Sequence, residues 1–243
     1  MQPIYTTANA FGLKLVVRDD ARNELRLVHE MTEHGRQSLD PERALEPLGY
    51  YHRAGPLGDV LATLGTHGDL AVVGLGAGAM AAYAHPGQRM VFLEIDPDVV
   101  RIARDIGHFS YLARSLGRIE VRVGDGLATL NAAQGEQFQL IIVDAYDENS
   151  VPDHLVSADA LATYTARLAP GGAVVLAATH PRDAVWPVVQ ANAQALGLSV
   201  LTRFDQMSLA EEQTSDLQQA RFVVVAPDQA ALAPLAARPG WTT

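Results

Sequence analysis

Leu70–Glu94 reads LAVVGLGAGAMAAYAHPGQRMVFLE, and this stretch decides the fold. Leu70–Gly74 (LAVVG) is a short apolar run ending in glycine; Met90–Glu94 (MVFLE) is a second β-rich run ending in an acid. Between them Gly74-Leu75-Gly76-Ala77-Gly78-Ala79 turns the chain, and the small residues of Ala77–Tyr83 predict a helix. Glycines at such a turn let a ligand approach the backbone and let the next element pack on the strand. Glu94 ends the second strand at the spacing where an acid accepts hydrogen bonds from both hydroxyls of a ribose. The stretch therefore reads as a strand, a ligand-binding turn, a helix and a parallel strand.

The alternation continues downstream. Pro97–Ile106 predicts a helix, with Asp96 as N-cap and Pro at its first position. Ile119–Val123 (IEVRV) and Phe138–Asp144 (FQLIIVD) predict strands, and Ala158–Leu168 a helix. Pro170-Gly171-Gly172 then turns the chain into a strand at Ala173–Ala177. Trp186–Leu196 predicts a helix, and Ser199–Phe204 and Arg221–Val225 two late strands. The polar stretch 205–220 between them shows no clear long helix, so these two strands are expected to pair antiparallel. Residues 226–237 read as a surface tail or a short helix, broken by Pro227 and Pro234. Strands separated by helices predict a mostly parallel sheet covered on both faces.

Upstream the pattern differs. Leu13–Arg18 and Glu24–His29 alternate and are joined by a polar loop, which predicts a β-hairpin with Leu13, Leu15, Val17, Leu25 and Leu27 on one face. A third short strand is expected near Gly35–Leu39. A two-stranded ribbon is marginal alone, so this face must pack on the main domain or on another copy. The chain divides into an N-terminal β-hairpin subdomain, 1–55, and a catalytic domain, 56–243. No repeat, signal-peptide pattern or membrane-spanning apolar run stands out.

The chain has 243 residues, 18 Lys+Arg against 28 Asp+Glu, a formal net charge of −10, and no cysteine. The missing cysteines exclude a disulfide scaffold, a thiolate metal site and a thiol nucleophile, and they suit the cytoplasm. Net acidity without a basic run argues against nucleic acid and suits a cationic small substrate. No pair among the histidines has metal-ligand spacing, so no metal is expected. Asp144 and His154 without a G-x-S-x-G elbow do not make a hydrolase.

The ribose acid does not name the ligand, because the loop also fits the dinucleotide form G-x-G-x-x-A. Three features favour an adenosyl-sulfonium compound. Gly124-Asp125-Gly126 follows the third strand, where an acid can receive an adenine amino group. Asp144 ends the fourth strand, at the mouth where a reacting group would lie. Pro170-Gly171-Gly172 precedes the fifth. Ligands of open α/β sheets sit beyond the carboxyl ends of the strands.

On these residues, together with Gly35-Arg36-Gln37-Ser38, Tyr51-His52, Glu94-Ile95-Asp96 and Val143-Asp144-Ala145-Tyr146-Asp147, the chain resembles the spermidine synthase (polyamine aminopropyltransferase) family. It is nearest that family's bacterial spermidine-synthase-like branch. The resemblance spans roughly residues 24–180 and implies a seven-stranded class I methyltransferase-type sheet. It implies a nucleoside held by Gly74, Gly76, Gly78 and Glu94, with Ile95 against the adenine and Asp125, beside Gly126, on its amino group. Asp144 would be the proton acceptor, Asp147 would help hold a cationic amine, and Tyr51, His52 and Gln37 would line the same pocket. A homodimer is implied as well.

The departures concern the other half of the pocket. The family carries an Asp where this chain has Ala77, and a Glu where it has Arg53. Its late Tyr-Pro-Ser-Gly clamp is not visible after residue 200. An acid lost and a base gained would suit S-adenosylmethionine itself rather than its decarboxylated form, so the donor stays open between the two. The polar stretch Asp147–Leu155 reads as a lid or as an ordinary surface loop.

The resulting expectation is a transferase that moves an aminopropyl or related alkyl group to an amine acceptor such as a polyamine. The alternatives are a small-molecule methyltransferase using S-adenosylmethionine and a non-catalytic nucleoside-binding or scaffold protein.

Overall fold

The computed structural model describes residues 2–30, 32–146, 151–179 and 185–243. The chain opens with a four-stranded antiparallel sheet in sequential order: β1 (Gln2–Asn9), β2 (Gly12–Asp19), β3 (Glu24–His29) and β4 (Thr32–Ser38). β2 and β3 are the expected hairpin. β1 is an addition that the sequence hides, because its QPIYTTAN run lies almost wholly exposed and carries little apolar signal.

The inward face of β2 corrects the sequence reading. Leu13 is exposed, whereas Lys14 and Val16 are fully buried. A buried ion pair explains the inversion: Lys14 Nζ lies 2.5 Å from Asp96 Oδ2 and donates to Asn9 Oδ1 at 2.6 Å. A lysine without water is tolerated only with partners of this kind. Val16, Leu25 and Leu27 join the core that covers one face of the main sheet. The first sheet is thereby bolted onto the rest of the molecule.

After a turn-rich segment, α1 (Pro56–Leu64) leads into a seven-stranded sheet. Its strands are β5 (Leu70–Val73), β6 (Arg89–Glu94), β7 (Arg118–Val123), β8 (Phe138–Val143), β9 (Leu168–Ala177), β10 (Ser199–Asp205) and β11 (Ala220–Ala226). They lie in the order β10-β11-β9-β8-β5-β6-β7. β9, β8, β5, β6 and β7 run parallel, and β10 and β11 pair antiparallel, as expected. Val72, Phe92, Ile142 and Val175 face one core; Val73, Leu93, Val143 and Val174 face the other. Burial on both faces is why FQLIIV of β8 shows no alternation. The helices α2 (Pro97–Arg104), α3 (Tyr111–Arg114), α4 (Gly126–Ala132), α5 (Asp153–Val156), α6 (Ala158–Thr165), α7 (Val185–Ala195), α8 (Leu209–Thr214) and α9 (Gln229–Ala236) connect and cover it. None of the described helices is long and apolar enough to cross a membrane.

Two further expectations change. The stretch after the glycine loop is only a 3₁₀ turn, Ala79–Tyr83, because Ala84 already turns to extended backbone ahead of His85-Pro86. β9 starts at Leu168 and runs through Pro170-Gly171-Gly172, absorbing it with a register shift against β8. The polar stretch 205–220 holds no long helix, as expected, only the six-residue α8, nucleated by a capping box between Ser208 and Glu211. Residues 229–236 resolve the choice between tail and helix in favour of α9, despite Pro234.

After β5 the chain moves outward to β6 and β7, then returns to β8 on the other side of β5. Crevices open at such a reversal, beyond the carboxyl ends of the strands.

Candidate active site

A cavity of about 530 Å³ occupies that crevice. The ends of β5, β6 and β8 supply Gly74, Glu94 and Asp144, and the loop after β7 supplies Asp125 and Gly126. The first sheet closes the opposite wall with Phe11, His29, Glu30 and His34.

The glycine loop is shaped by two close backbone contacts. A Cβ on Gly74 would stand 2.2 Å from the carbonyl oxygen of Asp144, and one on Gly76 2.2 Å from that of His34. Both residues have positive φ, at 99° and 53°. Only glycine lets the loop nest between the end of β8 and the strand β4. The backbone N–H of Ala77 donates to His34 O at 3.0 Å, which completes the seam.

Glu94 accepts from the Leu75 amide through Oε2 and from the Asp96 amide through Oε1, each at 2.9 Å. Burial pushes its carboxyl up to about 7, against the downward pull of those amides. Next to it Ile95 is 47% exposed and offers an apolar surface at the cavity wall. Asp125 caps α4 by accepting from the Ala128 amide at 2.8 Å, and its other oxygen pairs with His154 Nε2 at 3.0 Å. Burial opposes its charge, but the Ala128 amide and His154 outweigh that and hold it below the ordinary carboxylate value.

Asp144 is different. Tyr51 Oη donates to its Oδ2 at 2.7 Å, and Tyr50 Oη lies 2.7 Å from Tyr51 Oη. Its Oδ1 is buried and has no hydrogen-bond partner among the described residues. Buried polar atoms are rarely left so, and such an atom calls for an explanation. Burial pushes the Asp144 carboxyl up to about 6, with both tyrosine hydroxyls pulling the other way. The group is thus mostly ionised at neutral pH and can take a proton.

A second cavity, of about 210 Å³, adjoins the first, and His34 and Tyr146 line both. Its walls include Glu33 and Tyr50 on one side and Glu212, Gln218 and Gln219 on the other. The latter belong to the stretch between β10 and β11, held against the first sheet by Arg22. That guanidinium donates to Gln213 O at 2.6 Å and Ser215 O at 2.5 Å. Burial, with a smaller contribution from His29, drives the His34 imidazole down to about 4, so it is neutral at the junction.

Not every residue named from the sequence reaches the cavities. Gln37 is buried and spent on structure: Nε2 donates to Ala44 O at 2.6 Å and Ser110 Oγ at 3.0 Å, and Oε1 accepts from the Ser110 amide. His52 is not among the cavity walls, and its Nδ1 accepts from the Ala54 amide at 3.1 Å. Gly78 starts the 3₁₀ turn and packs on Leu112. Arg53 donates to Ala82 O at 2.8 Å and covers the Tyr83 ring at 4.6 Å, so the gained base does not enter the cavity. Asp147 and part of the expected lid lie outside the described residues. Conversely, Phe11, His29, Glu30, His34 and His154 line the main cavity without having been singled out as site residues. His29, Glu30 and His34 had only proximity in sequence to Gly35-Arg36-Gln37 as a signal, His154 stood out only beside Asp144 as a hydrolase pattern, and Phe11 carried none.

The first cavity is walled by Glu30, Glu94, Asp96, Asp125 and Asp144, and by no Lys or Arg among the described residues. Asp96 is neutralised by Lys14 from behind. No group of three or more His, Asp or Glu that could hold a metal ion occurs among the described residues. The result is an acid-walled pocket that favours a cation, and one of its lining residues, Asp144, keeps a buried Oδ1 without a hydrogen-bond partner among the described residues.

Comparison with known proteins agrees with this geometry. Similar solved structures include a probable spermidine synthase from Corynebacterium glutamicum, at 15% identity and TM-score 0.68, covering 99% of this chain and 90% of that one. A spermidine synthase from Thermotoga maritima is 14% identical with TM-score 0.61, covering 98% and 78%. A spermidine synthase in complex with the transition state analogue AdoDATO is 13% identical with TM-score 0.65, covering 98% and 79%. At these identities the likeness establishes the fold. The sequence comparison with curated proteins gave no match. The family profile described as the spermine/spermidine synthase domain matches residues 66–192, just over half of the chain. The chain therefore belongs to the spermine/spermidine synthase family and is a transferase built on a class I methyltransferase-like fold.

Proposed function

We propose that the protein transfers an aminopropyl group from decarboxylated S-adenosylmethionine to a small-molecule amine. The observation that carries this reading is the buried Oδ1 of Asp144, without a hydrogen-bond partner among the described residues, on a residue lining a cavity walled by acids and by no Lys or Arg among the described residues. Ordinary S-adenosylmethionine brings a carboxylate, and among the described residues of this wall no Lys or Arg would meet it. The decarboxylated form brings only positive charge.

The residues present fit such a donor. Glu94 faces the position of a ribose, and hydroxyl donors there would favour its ionised form. Ile95 offers the adenine an apolar surface. Asp125, already shared by Ala128 and His154, presents an acceptor edge for the adenine amino group. The bound donor supplies an activated carbon and a neutral thioether leaving group. The acceptor nitrogen lone pair forms the new N–C bond, the S–C bond breaks with its electron pair going to sulfur, and Asp144 Oδ1 takes the proton from nitrogen. Holding amine and carbon in line removes much of the barrier by proximity. The second cavity, beyond His34 and Tyr146, is the place for the remainder of the acceptor. Asp147 belongs to this reading as a further anchor for the amine, as does a homodimer in the cytoplasm.

Calorimetry with each donor tests it. The decarboxylated donor is expected to bind more tightly than S-adenosylmethionine. Equal affinity, or preference for the carboxylated form, would overturn the choice of donor and favour the methyltransferase alternative.

A further inference from the structure

Tyr50 lies between the two cavities in a way that the reaction scheme above does not use. It lines the second cavity, and its hydroxyl lies 2.7 Å from that of Tyr51, the donor to Asp144. While Asp144 is ionised, the Tyr51 proton is committed to Oδ2, so Tyr50 is the donor in the Tyr50–Tyr51 link. Three groups then form one directed chain: Tyr50 O–H to Tyr51 O, Tyr51 O–H to Asp144 Oδ2. Hydrogen bonds in series polarise one another, so the outer link strengthens the inner one. The frame is stiff. The two rings pack with centroids 4.1 Å apart, and Tyr83 Oη donates to the Tyr51 carbonyl at 2.5 Å.

We propose that Tyr50 is a positioning residue: by donating to Tyr51 it keeps the Tyr51 proton on Oδ2 of Asp144, and so reserves Oδ1 for the acceptor amine. This rests on the proposed function for its role in transfer, but its effect on Asp144 exists in the free protein. Other charged or titratable groups face Asp144 from around the cavities. Glu33 and His34 come from β4, Tyr146 follows β8, Glu94 ends β6, and Asp125 pairs with His154 of α5. None of these six is seen to hydrogen-bond the Asp144 carboxylate among the described contacts, whereas both tyrosines support its charge.

Tyr50→Phe keeps the ring and removes the donor. Carbon-13 NMR of the aspartate carboxyls in ligand-free protein, with Asp144→Asn assigning the resonance, reads the Asp144 titration directly. The midpoint, at about 6 in the parent protein, is expected to rise in Tyr50→Phe. The acid limb of the kcat/KM profile should move up with it, while the rate on the alkaline side changes little. In a Tyr51→Phe background, adding Tyr50→Phe should move both readings less than it does in the parent protein. A titration unmoved by Tyr50→Phe overturns the proposal, as does an equal shift in both backgrounds. Absence of transfer with every donor and amine, alongside a shifted titration, would instead overturn the functional reading and leave the Tyr50 link standing.

Discussion

The two halves of the site, the main cavity and the smaller one that adjoins it past Asp144, are built by different parts of the chain. The nucleoside half comes from the ends of neighbouring parallel strands: Gly74 and Gly76 after β5, Glu94 on β6, Asp125 after β7. The half beyond Asp144 comes from distant pieces packed over the sheet: His34 on β4, Tyr50 and Tyr51 before α1, and Glu212 near the end of α8. The family resemblance read from the sequence falls on the first half, apart from Gly78, which packs on Leu112 outside the cavity. The second departs from it, and Ala77 marks the border. On the proposed reading, the contrast ties donor recognition to the sheet and acceptor recognition to what is docked against it.

The largest effect should come from the residue both halves share. Asp144→Asn is expected to lower turnover by about 10²–10⁴-fold, the usual range for a lost general base. Affinity for the nucleoside product should stay within a few-fold. Unchanged turnover in a steady-state assay would remove Asp144 from its role and dissolve the division between the halves.

Ala77→Asp asks whether the border can be moved. Family resemblance alone suggests that it would restore a grip on the donor's amine. The structure predicts the opposite, since Ala77 is 1% exposed and packed against Gly35 on β4. A carboxylate there would be buried without a partner, at a cost of several kcal/mol. A thermal melt should show clear loss of stability. An unchanged Tm with tighter binding of the decarboxylated donor would break the comparison.

Glu94→Gln probes the nucleoside half alone. Losing a charged acceptor costs about 1.5–3 kcal/mol, or roughly 10–150-fold in nucleoside affinity by calorimetry. kcat should fall much less. An equal loss in kcat would mean that the halves are not separable.

Stability against pH sharpens the same point. Asp144 and Glu94 have carboxyls raised to about 6 and about 7, above their ordinary values. For each, the folded chain holds its proton more tightly than the unfolded chain does. Their contribution is complete below about pH 4 and is lost as pH rises through about 6 and 7, on the order of 3 kcal/mol each at neutrality. Denaturant titrations should show the decline shrinking in Asp144→Asn and in Glu94→Gln. An identical slope in both variants would contradict the burial argument. Donors that favour the ionised forms should reverse the trend. The smallest effect is expected from His154→Ala. This pair with Asp125 is half-exposed, and such pairs contribute less than about 1 kcal/mol.

The legibility of the sequence follows the same division. The parallel strands were readable because FQLIIV and MVFLE are buried on both faces and end at ligand-bearing turns. Glu94 and Asp144 were readable because strand ends point into the crevice. Lys14 was not, since alternation predicts an apolar face and a buried ion pair with Asp96 took the opposite one. β1 was hidden because its exposed polar residues carry no pattern. Gln37 and His52 matched a family motif but are consumed by structural hydrogen bonds, Gln37 to Ala44 and the distant Ser110 and His52 to Ala54, which no motif records. His34 and Glu212 meet only through packing between β4 and the β10–β11 stretch, a contact of long range that local sequence does not encode.

The most direct test is to incubate the protein with decarboxylated S-adenosylmethionine or with S-adenosylmethionine, each with a panel of polyamines, and to identify the nucleoside released by mass. The account predicts methylthioadenosine, formed from the decarboxylated donor in the presence of an amine and absent in Asp144→Asn. Release of S-adenosylhomocysteine from the carboxylated donor would contradict it.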